Sequence, residues 1–332
     1  MKKFTDIGQY KDVIRSVKSH HDYHGNDEDG NAIIRHDNDY PIIKFRGTIK
    51  NHGTNSGICA YKTENGLHFE FQSRERTLSI NSDNAGFMIS MLRKNYQKLF
   101  DNIEFNETCV IYGEWIGSGI QKNVAITQLS KRFIIFAVRI DDVYQDMENY
   151  KHLKIEEDDI YNILQFETYY VDVDFNMPEI AQNKIVDLTI SVEECCPVGK
   201  YFGVEGIGEG IVFEAYYNNN RYIFKSKGEK HAGKSKVKII NTVDDDRIKL
   251  IREIAEKVTP TWRLEQMIEL SCDLMNGGFL DRTKLGEYLK LVINDVYKED
   301  LDIILDADIE PKEINKYISE IAKNYFFNQQ KL

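Results

Sequence analysis

The sequence predicts an α+β protein, with antiparallel sheets in its first two thirds and a small all-helical domain after them. Two observations carry this. From about residue 41 to 240, short β-branched or aromatic runs stand between clusters of Gly, Asn, Asp or Lys; "YPIIKFRGTI", "TCVIYGEWI", "RFIIFAVRI" and "EGIVFEAYY" are four of them. After Asn241 the apolar period becomes that of a helix, with Ile248, Ile251, Ile254, Ala255 and Val258 on one stripe. Strands mixed irregularly with helices, without regular alternation, favour antiparallel pairing.

The elements follow in order. "HHDYH" (His20 to His24) beside "DEDG" looks like a metal tract but fits no standard zinc spacing, so it is read as a polar loop. "AYKTENGLHFEF" predicts a hairpin turning at Asn65-Gly66. Residues 84–103 and "EEDDIYNILQFETYY" predict helices from their apolar spacing. Beyond Asn241, "TVDDDRIKLIREIAEKV" starts acidic and is followed by Pro260, and "TWRLEQMIELSCDLMNGG" stops at Asn276-Gly277-Gly278. Two further helices are expected in "DRTKLGEYLKLVINDVYKE" and "EPKEINKYISEIAKNYFF". The expected boundaries are 1–241 for the sheet domain and 242–332 for the helical one.

Composition excludes several classes. No run of about 18 apolar residues exists, so no membrane span is expected. "MKKFTDIGQYKDVIRS" turns polar too early for a secretory leader, and five cysteines form no CxxC pair. A reduced, cytoplasmic protein is the expectation, with a monomer as the default. The net charge of −11 argues against a generally nucleic-acid-binding surface. Yet seven basic residues stand against one acid between Arg221 and Lys238, which points to local phosphate binding or to a solvated lysine-rich loop.

The chemistry concentrates in three stretches. "KFRGTIKNHGTN" contains Lys-x-x-Gly-Thr twice, at Lys44 and at Lys50. A lysine nucleophile needs surroundings that favour its neutral form and a strand end that presents the amine. Lys44 lies inside an apolar run, whereas Lys50 follows it and has His52, Thr54 and Asn55 around Gly53. Next, "YGEWIGSGIQKNV" delivers Glu114 beside a glycine at a strand's polar end, suited to a ribose hydroxyl or a metal-bound water. Phe136, in "KRFIIFAV", offers either core packing or a stacking platform for a base. Finally, "GIGEGIVFE" exposes Glu209 between glycines. In "YIFKSK" the alternation puts Lys225 and Lys227 on one face, where a phosphate relieves their repulsion.

The order of these pieces resembles the covalent nucleotidyltransferase superfamily of ATP-dependent ligases and capping enzymes. More narrowly, it resembles the RNA ligase 2 family, whose members seal nicks in duplex RNA. The histidine of "KNHGTN" and the "GSGIQKNV" element separate it from DNA ligases and GTP-using capping enzymes, and "VTPTWRLEQMIE" extends the resemblance into the helical part. The resemblance implies an antiparallel-sheet adenylyltransferase domain and ATP with Mg²⁺, or Mn²⁺, as cofactors. It also implies RNA 3′-hydroxyl and 5′-phosphate ends, held on a duplex, as substrate.

Carried onto this sequence, it makes Lys50 the nucleophile, with His52 and Asn55 in the same motif. Arg74 would contact a phosphate, Glu114 the ribose, Phe136 the adenine, and Lys225 and Lys227 the phosphates. Glu209 would act through a metal or by positioning the nucleophile, and Glu114 is the other metal candidate. Ile49 departs from the acidic or polar residue usual before the lysine. "SRERT" leaves Arg76 as a rival to Arg74, and Phe133 is a rival to Phe136. A virus-encoded repair enzyme fits the compact length. A different nucleotidyltransferase, or a non-catalytic RNA-binding protein on a ligase scaffold, are the competing readings.

Overall fold

The computed structural model describes residues 1–36, 39–231, 245–269, 275–276 and 279–329. It divides into two compact units that alternate along the chain. One comprises Met1–Ile14, Ile43–Val173 and Ala181–Ile239; the other comprises Arg15–Ile42, Asp174–Ile180 and Ile240–Leu332. The expected division at 241/242 lies outside the described residues, as do Lys234, Lys236, Lys238 and Cys272.

The chain opens with helix α1 (Tyr10–Asp22), hairpin strands β1 (Tyr23–Asn26) and β2 (Ala32–Ile34), then β3 (Ile42–Lys50). Thus the histidine-rich tract is not a loop: His20 and His21 finish α1, and Tyr23 and His24 begin β1. The Asp27 side chain closes the following turn by accepting from the amides of Asp29 and Asn31. No group of three metal-ligating side chains occurs among the described residues.

Next come β4 (Thr54–Thr63) and β5 (Gly66–Ser73), the predicted hairpin, with Gly66 at φ 107. The expected helix over residues 84–103 is broken into α2 (Phe87–Met91) and a 3-10 turn at Tyr96–Phe100. Asn95 causes the break: it leaves helical geometry, and its backbone and side chain both donate to Asp158. Strands β6 (Thr108–Ile116), β7 (Arg132–Ile140) and β8 (Val143–Gln145) follow. "EEDDIYNILQFETYY" is likewise no α-helix, only 3-10 turns at Glu156–Asp158 and Ile163–Gln165 on either side of a strand. Asp159 turns left-handed (φ 53), and the chain continues as β9 (Ile160–Asn162) and β10 (Thr168–Asp174). Parallel pairing of β9 with β7 overrides the local helical spacing.

Helices α3 (Pro178–Glu194) and α4 (Pro197–Tyr201) lead to β11 (Gly210–Tyr217) and β12 (Asn220–Lys227). Among the described residues that follow are five α-helices, α5 (Asp245–Val258), α6 (Thr261–Glu269), α7 (Leu285–Glu299), α8 (Leu301–Asp306) and α9 (Pro311–Asn328). There is also a short antiparallel strand pair, Met275–Asn276 with Phe279–Leu280, where the sequence predicted helix up to Asn276 and an all-helical domain. The α+β class and the helical C-terminal region expected from sequence are therefore the architecture found. No helix among the described residues is long and apolar enough to cross a membrane.

In the first unit, one sheet runs β10-β3-β11-β12 and the other β5-β4-β6-β7-β8, with β9 beside β7. Alternation assigns the faces. On β3, Ile43, Phe45, Gly47 and Ile49 are buried, while Lys44, Arg46, Thr48 and Lys50 take the opposite face. Phe45, Phe213 and Phe224 pack together on the buried side, with Phe213 stacked on Phe224 at 5.0 Å. The larger sheet has two apolar faces. Trp115, Phe133 and Phe87 belong to one; Phe4, Tyr112 and Phe136 to the other.

The second unit has its own core, in which Ile251, Tyr288, Val292, Ile318 and Phe326 interdigitate. Buried Arg263 is held there by Asp300 at 2.5 Å.

Candidate active site

A cavity of about 390 Å³ lies between the two sheets of the first unit. Its lining includes Lys50, His52, Asn55, Arg74, Glu114, Phe136, Glu209, Lys225 and Lys227, so every residue given a role by the resemblance borders the same space, while the rivals Lys44, Arg76 and Phe133 do not. The register of the smaller sheet explains the convergence. Gly210 pairs with Lys50 on one side and Lys227 on the other, so the ends of β3 and β12 meet across the start of β11. Glu209 immediately precedes that start. Its carboxylate is 2 % exposed and bridges the two lysines: Lys50 Nζ lies 2.7 Å from Oε2 and Lys227 Nζ 2.7 Å from Oε1. His52 Nδ1 is 3.3 Å from Oε2. Burial alone would raise the Glu209 pKa, but Lys50 and Lys227 outweigh it and hold it below the usual range.

The close approach needs glycine. Gly210 has φ 149, and a Cβ there would stand 2.1 Å from the Ser226 carbonyl oxygen. Across the cavity, a Cβ on Gly53 would stand 2.3 Å from the Trp115 carbonyl oxygen and 3.0 Å from Glu114 Cγ. That absence of a side chain lets the Gly53 amide donate to Glu114 Oε1 at 3.1 Å, and Gln121 Nε2 donates to the Gly53 carbonyl at 3.1 Å. The "GSGIQKNV" loop thus clamps the turn that follows Lys50. Burial pushes the Glu114 carboxyl up to about 7, against the opposing pull of Lys50 and the Gly53 amide.

The arginine and phenylalanine alternatives differ in position. Arg74 borders the cavity, half exposed and paired with Asp6 of the N-terminal segment. Arg76 instead donates to Ser82 Oγ at 2.7 Å and the Asp83 carbonyl at 3.1 Å, tying down its own loop. Phe136 meets the cavity and packs edge-on against Phe4 at 5.1 Å. Phe133, three residues earlier, is on the other face of β7, fully buried against Phe87. Lys44 shares a strand face with Lys50 but lies outside the cavity, its ammonium 4.8 Å from the Tyr170 ring centre. The Lys225 amine is lowered by burial, then by Lys227, Lys50 and Arg74.

Several cavity residues were not singled out in the sequence. The N-terminal segment supplies Phe4, Thr5 and Ile7. It is held by Tyr112, whose hydroxyl donates to the Lys2 carbonyl at 2.8 Å, and by the Lys225 amide donating to Gly8 at 3.2 Å. Asn51 is 7 % exposed, and its Oδ1, like that of Asn55, is buried without a hydrogen-bond partner. Arg46, Glu214 and Arg221 form the far end. Only Arg46 and Glu214 carried a readable signal, as charges alternating with apolar strand residues.

The donor set suits a magnesium-type ion, which is commonly held by one or two carboxylates with phosphate and water completing its shell. Glu209 and Glu114 are the carboxylates at the lysine end. Both Glu209 oxygens are engaged by lysines, so metal binding there requires a lysine to turn towards a phosphate.

No curated protein matches this chain. Solved structures of a Naegleria gruberi RNA ligase are similar to it. A mutant with ATP and Mn gives 16% identity and a TM-score of 0.46, and another with AMP and Mn gives 17% and 0.46. In both, the match covers 71% of this chain and 58% of the Naegleria chain. The RNA ligase family model matches residues 43–227, more than half of the sequence and the segment that carries Lys50 through Lys227. By that match, the chain belongs to the RNA ligase family.

Proposed function

We propose that this protein is an ATP-dependent RNA ligase that joins 3′-hydroxyl and 5′-phosphate ends at nicks in duplex RNA, in the service of RNA repair. The observation that carries the reading is the buried Glu209 carboxylate with Lys50 on one oxygen and Lys227 on the other, beside a cavity of nucleotide size. Family membership supports it.

In the first step the Lys50 amine attacks the α-phosphorus of ATP. A nitrogen–phosphorus bond forms, the bond to the bridging oxygen breaks, and pyrophosphate leaves. Glu209 holds Lys50 at the strand end and releases it as phosphate oxygens take over Lys227 and Lys225. Glu114 and the Gly53 turn hold the ribose, and Phe136 covers one face of the base. An RNA 5′-phosphate oxygen then displaces Lys50 from the phosphorus, and the RNA 3′-hydroxyl displaces AMP. A divalent ion, when bound, neutralises phosphate charge. Residues 1–241 would carry this chemistry and 242–332 would assist with the RNA. A cytoplasmic setting, a viral origin and a monomeric state belong to the same proposal.

The test incubates protein with ATP labelled at the α-phosphate and magnesium, then resolves it on a denaturing gel. Label on wild type and Lys44→Ala but not on Lys50→Ala is expected. Label retained by Lys50→Ala would overturn the assignment, and an unlabelled wild type would leave a binding protein on a ligase scaffold. Nicked duplex and single-stranded RNA, compared with the labelled enzyme, test the substrate.

A further inference from the structure

The far end of the cavity holds charged groups to which the ligation chemistry assigns no role. On β3, Arg46, Thr48 and Lys50 share the cavity face, and their β11 partners are Glu214, Val212 and Gly210. Lys50 and Arg46 are four residues apart, about 13 Å along a strand. A phosphate, ribose and base in line occupy that span. A nucleotide laid along this face with its α-phosphorus at Lys50 would bring its base among Val212, Ile223 and Phe136, which line the cavity, and its outer edge towards Arg46 and Glu214.

The hydrogen bonds at this end are unequal. Glu214 Oε1 accepts from Arg221 Nε at 2.6 Å, and Oε2 accepts from an Arg46 terminal nitrogen at 3.3 Å. The Tyr216 hydroxyl stands 3.4 Å from Oε1, but its one proton goes to the Gln145 carbonyl at 2.9 Å. A carboxylate offers about four acceptor positions, and two guanidiniums fill two of them. Arg46 is meanwhile fixed by Asp146 at 2.9 Å and Glu148 at 3.0 Å. Glu214, 13 % exposed, is therefore a rigid acceptor with capacity to spare at the place a base edge would reach.

We propose that Glu214, held by Arg46 and Arg221, accepts a hydrogen bond from the 6-amino group of adenine and so selects ATP as the nucleotide donor. This rests on the reading that Lys50 is adenylylated by ATP. Guanine would place a carbonyl oxygen there, acceptor against acceptor, and a purine lacking the amine would leave the carboxylate without its donor. Losing a hydrogen bond to a charged group of this kind costs about ten- to a hundredfold in affinity.

The test measures binding by calorimetry to Lys50→Ala, which cannot react. The ligands are ATP, GTP and purine riboside 5′-triphosphate, which lacks only the 6-amino group. ATP is expected to bind at least about tenfold more tightly than the other two. Adding Glu214→Gln should cut that preference severalfold. Equal binding of ATP and the purine analogue would overturn the proposal, and so would an undiminished preference in a folded Glu214→Gln protein. Should that variant not fold, the analogue comparison with Glu214 intact decides. The gel assay on wild type separates the two claims. An unlabelled protein that still prefers ATP sinks the ligase reading alone, whereas a labelled protein without the preference sinks this one.

Discussion

The two ends of the cavity are built from the same sheet face by opposite rules. At the Arg46 end, charges are matched: Arg46 meets Asp146, Glu148 and Glu214, and Arg221 meets Glu214. At the Lys50 end, Lys50, Lys225, Lys227 and Arg74 border the cavity with only Glu114 and Glu209, and the Asn51 and Asn55 amide oxygens are buried unpartnered. The first arrangement pairs its ions without a ligand and acts as a template, with acceptor capacity left only on Glu214. The second has surplus positive charge and unmet acceptors, which a polyanion with hydroxyl groups would satisfy. The proposed chemistry falls where the protein's own pairing is incomplete.

Four measurements break or sharpen that contrast, from the largest effect down. Arg46→Ala removes the cation from three carboxylates at the matched end. Allowing for their partial exposure, it should destabilise the fold by about 3 kcal/mol in denaturant titrations. Gly53→Ala acts at the other end by forcing the Lys50 turn off the Trp115 carbonyl. It should cost about a hundredfold in the rate of self-labelling with little change in overall fold by circular dichroism.

Glu114→Gln has a pH signature. The folded pKa of about 7 lies above the ordinary carboxylate value, so the stability Glu114 contributes is fully present at low pH. It is lost as pH rises through 7. Metal-free melting should therefore find Glu114→Gln gaining on wild type between pH 5 and 8, by on the order of 2 kcal/mol. A pH-independent gap would mean that the carboxylate is ionised throughout. Lys44→Ala, last, loses only an exposed contact with Tyr170 and should shift stability by less than about 0.5 kcal/mol, with labelling unchanged.

The Lys50 end was legible in the sequence because its residues stand in short strings whose spacing survives folding. Lys50 with His52, and Lys225 with Lys227, are examples, and strand alternation already put the latter pair on one face. The matched end was legible only as charges alternating along separate strands, not as a cluster. Arg46 and Glu214 are 168 positions apart, and only strand register brings them together. Nor does local periodicity reveal α3, whose apolar residues are spread around it, or Phe4 as a cavity wall. The two failed helix expectations share a cause. Hydrogen bonds from Asn95 to Asp158 and the pairing of β9 with β7 supply tertiary contacts that outweigh the apolar spacing.

The N-terminal segment carries a last consequence, for the order in which the molecule becomes functional as it is synthesised. The Gly8 carbonyl receives the Lys225 amide, and Phe4 stands beside Arg221, its ring centre 5.5 Å from the guanidinium carbon. One wall of the cavity is thus translated more than two hundred residues before the strand it docks on. At several residues per second, the early wall waits tens of seconds on the ribosome for its partner. A nascent chain ending before β12 would hold the Lys50 motif but lack both Lys225 and Lys227, so under the proposed assignment nucleotide binding would report that β12 had been made.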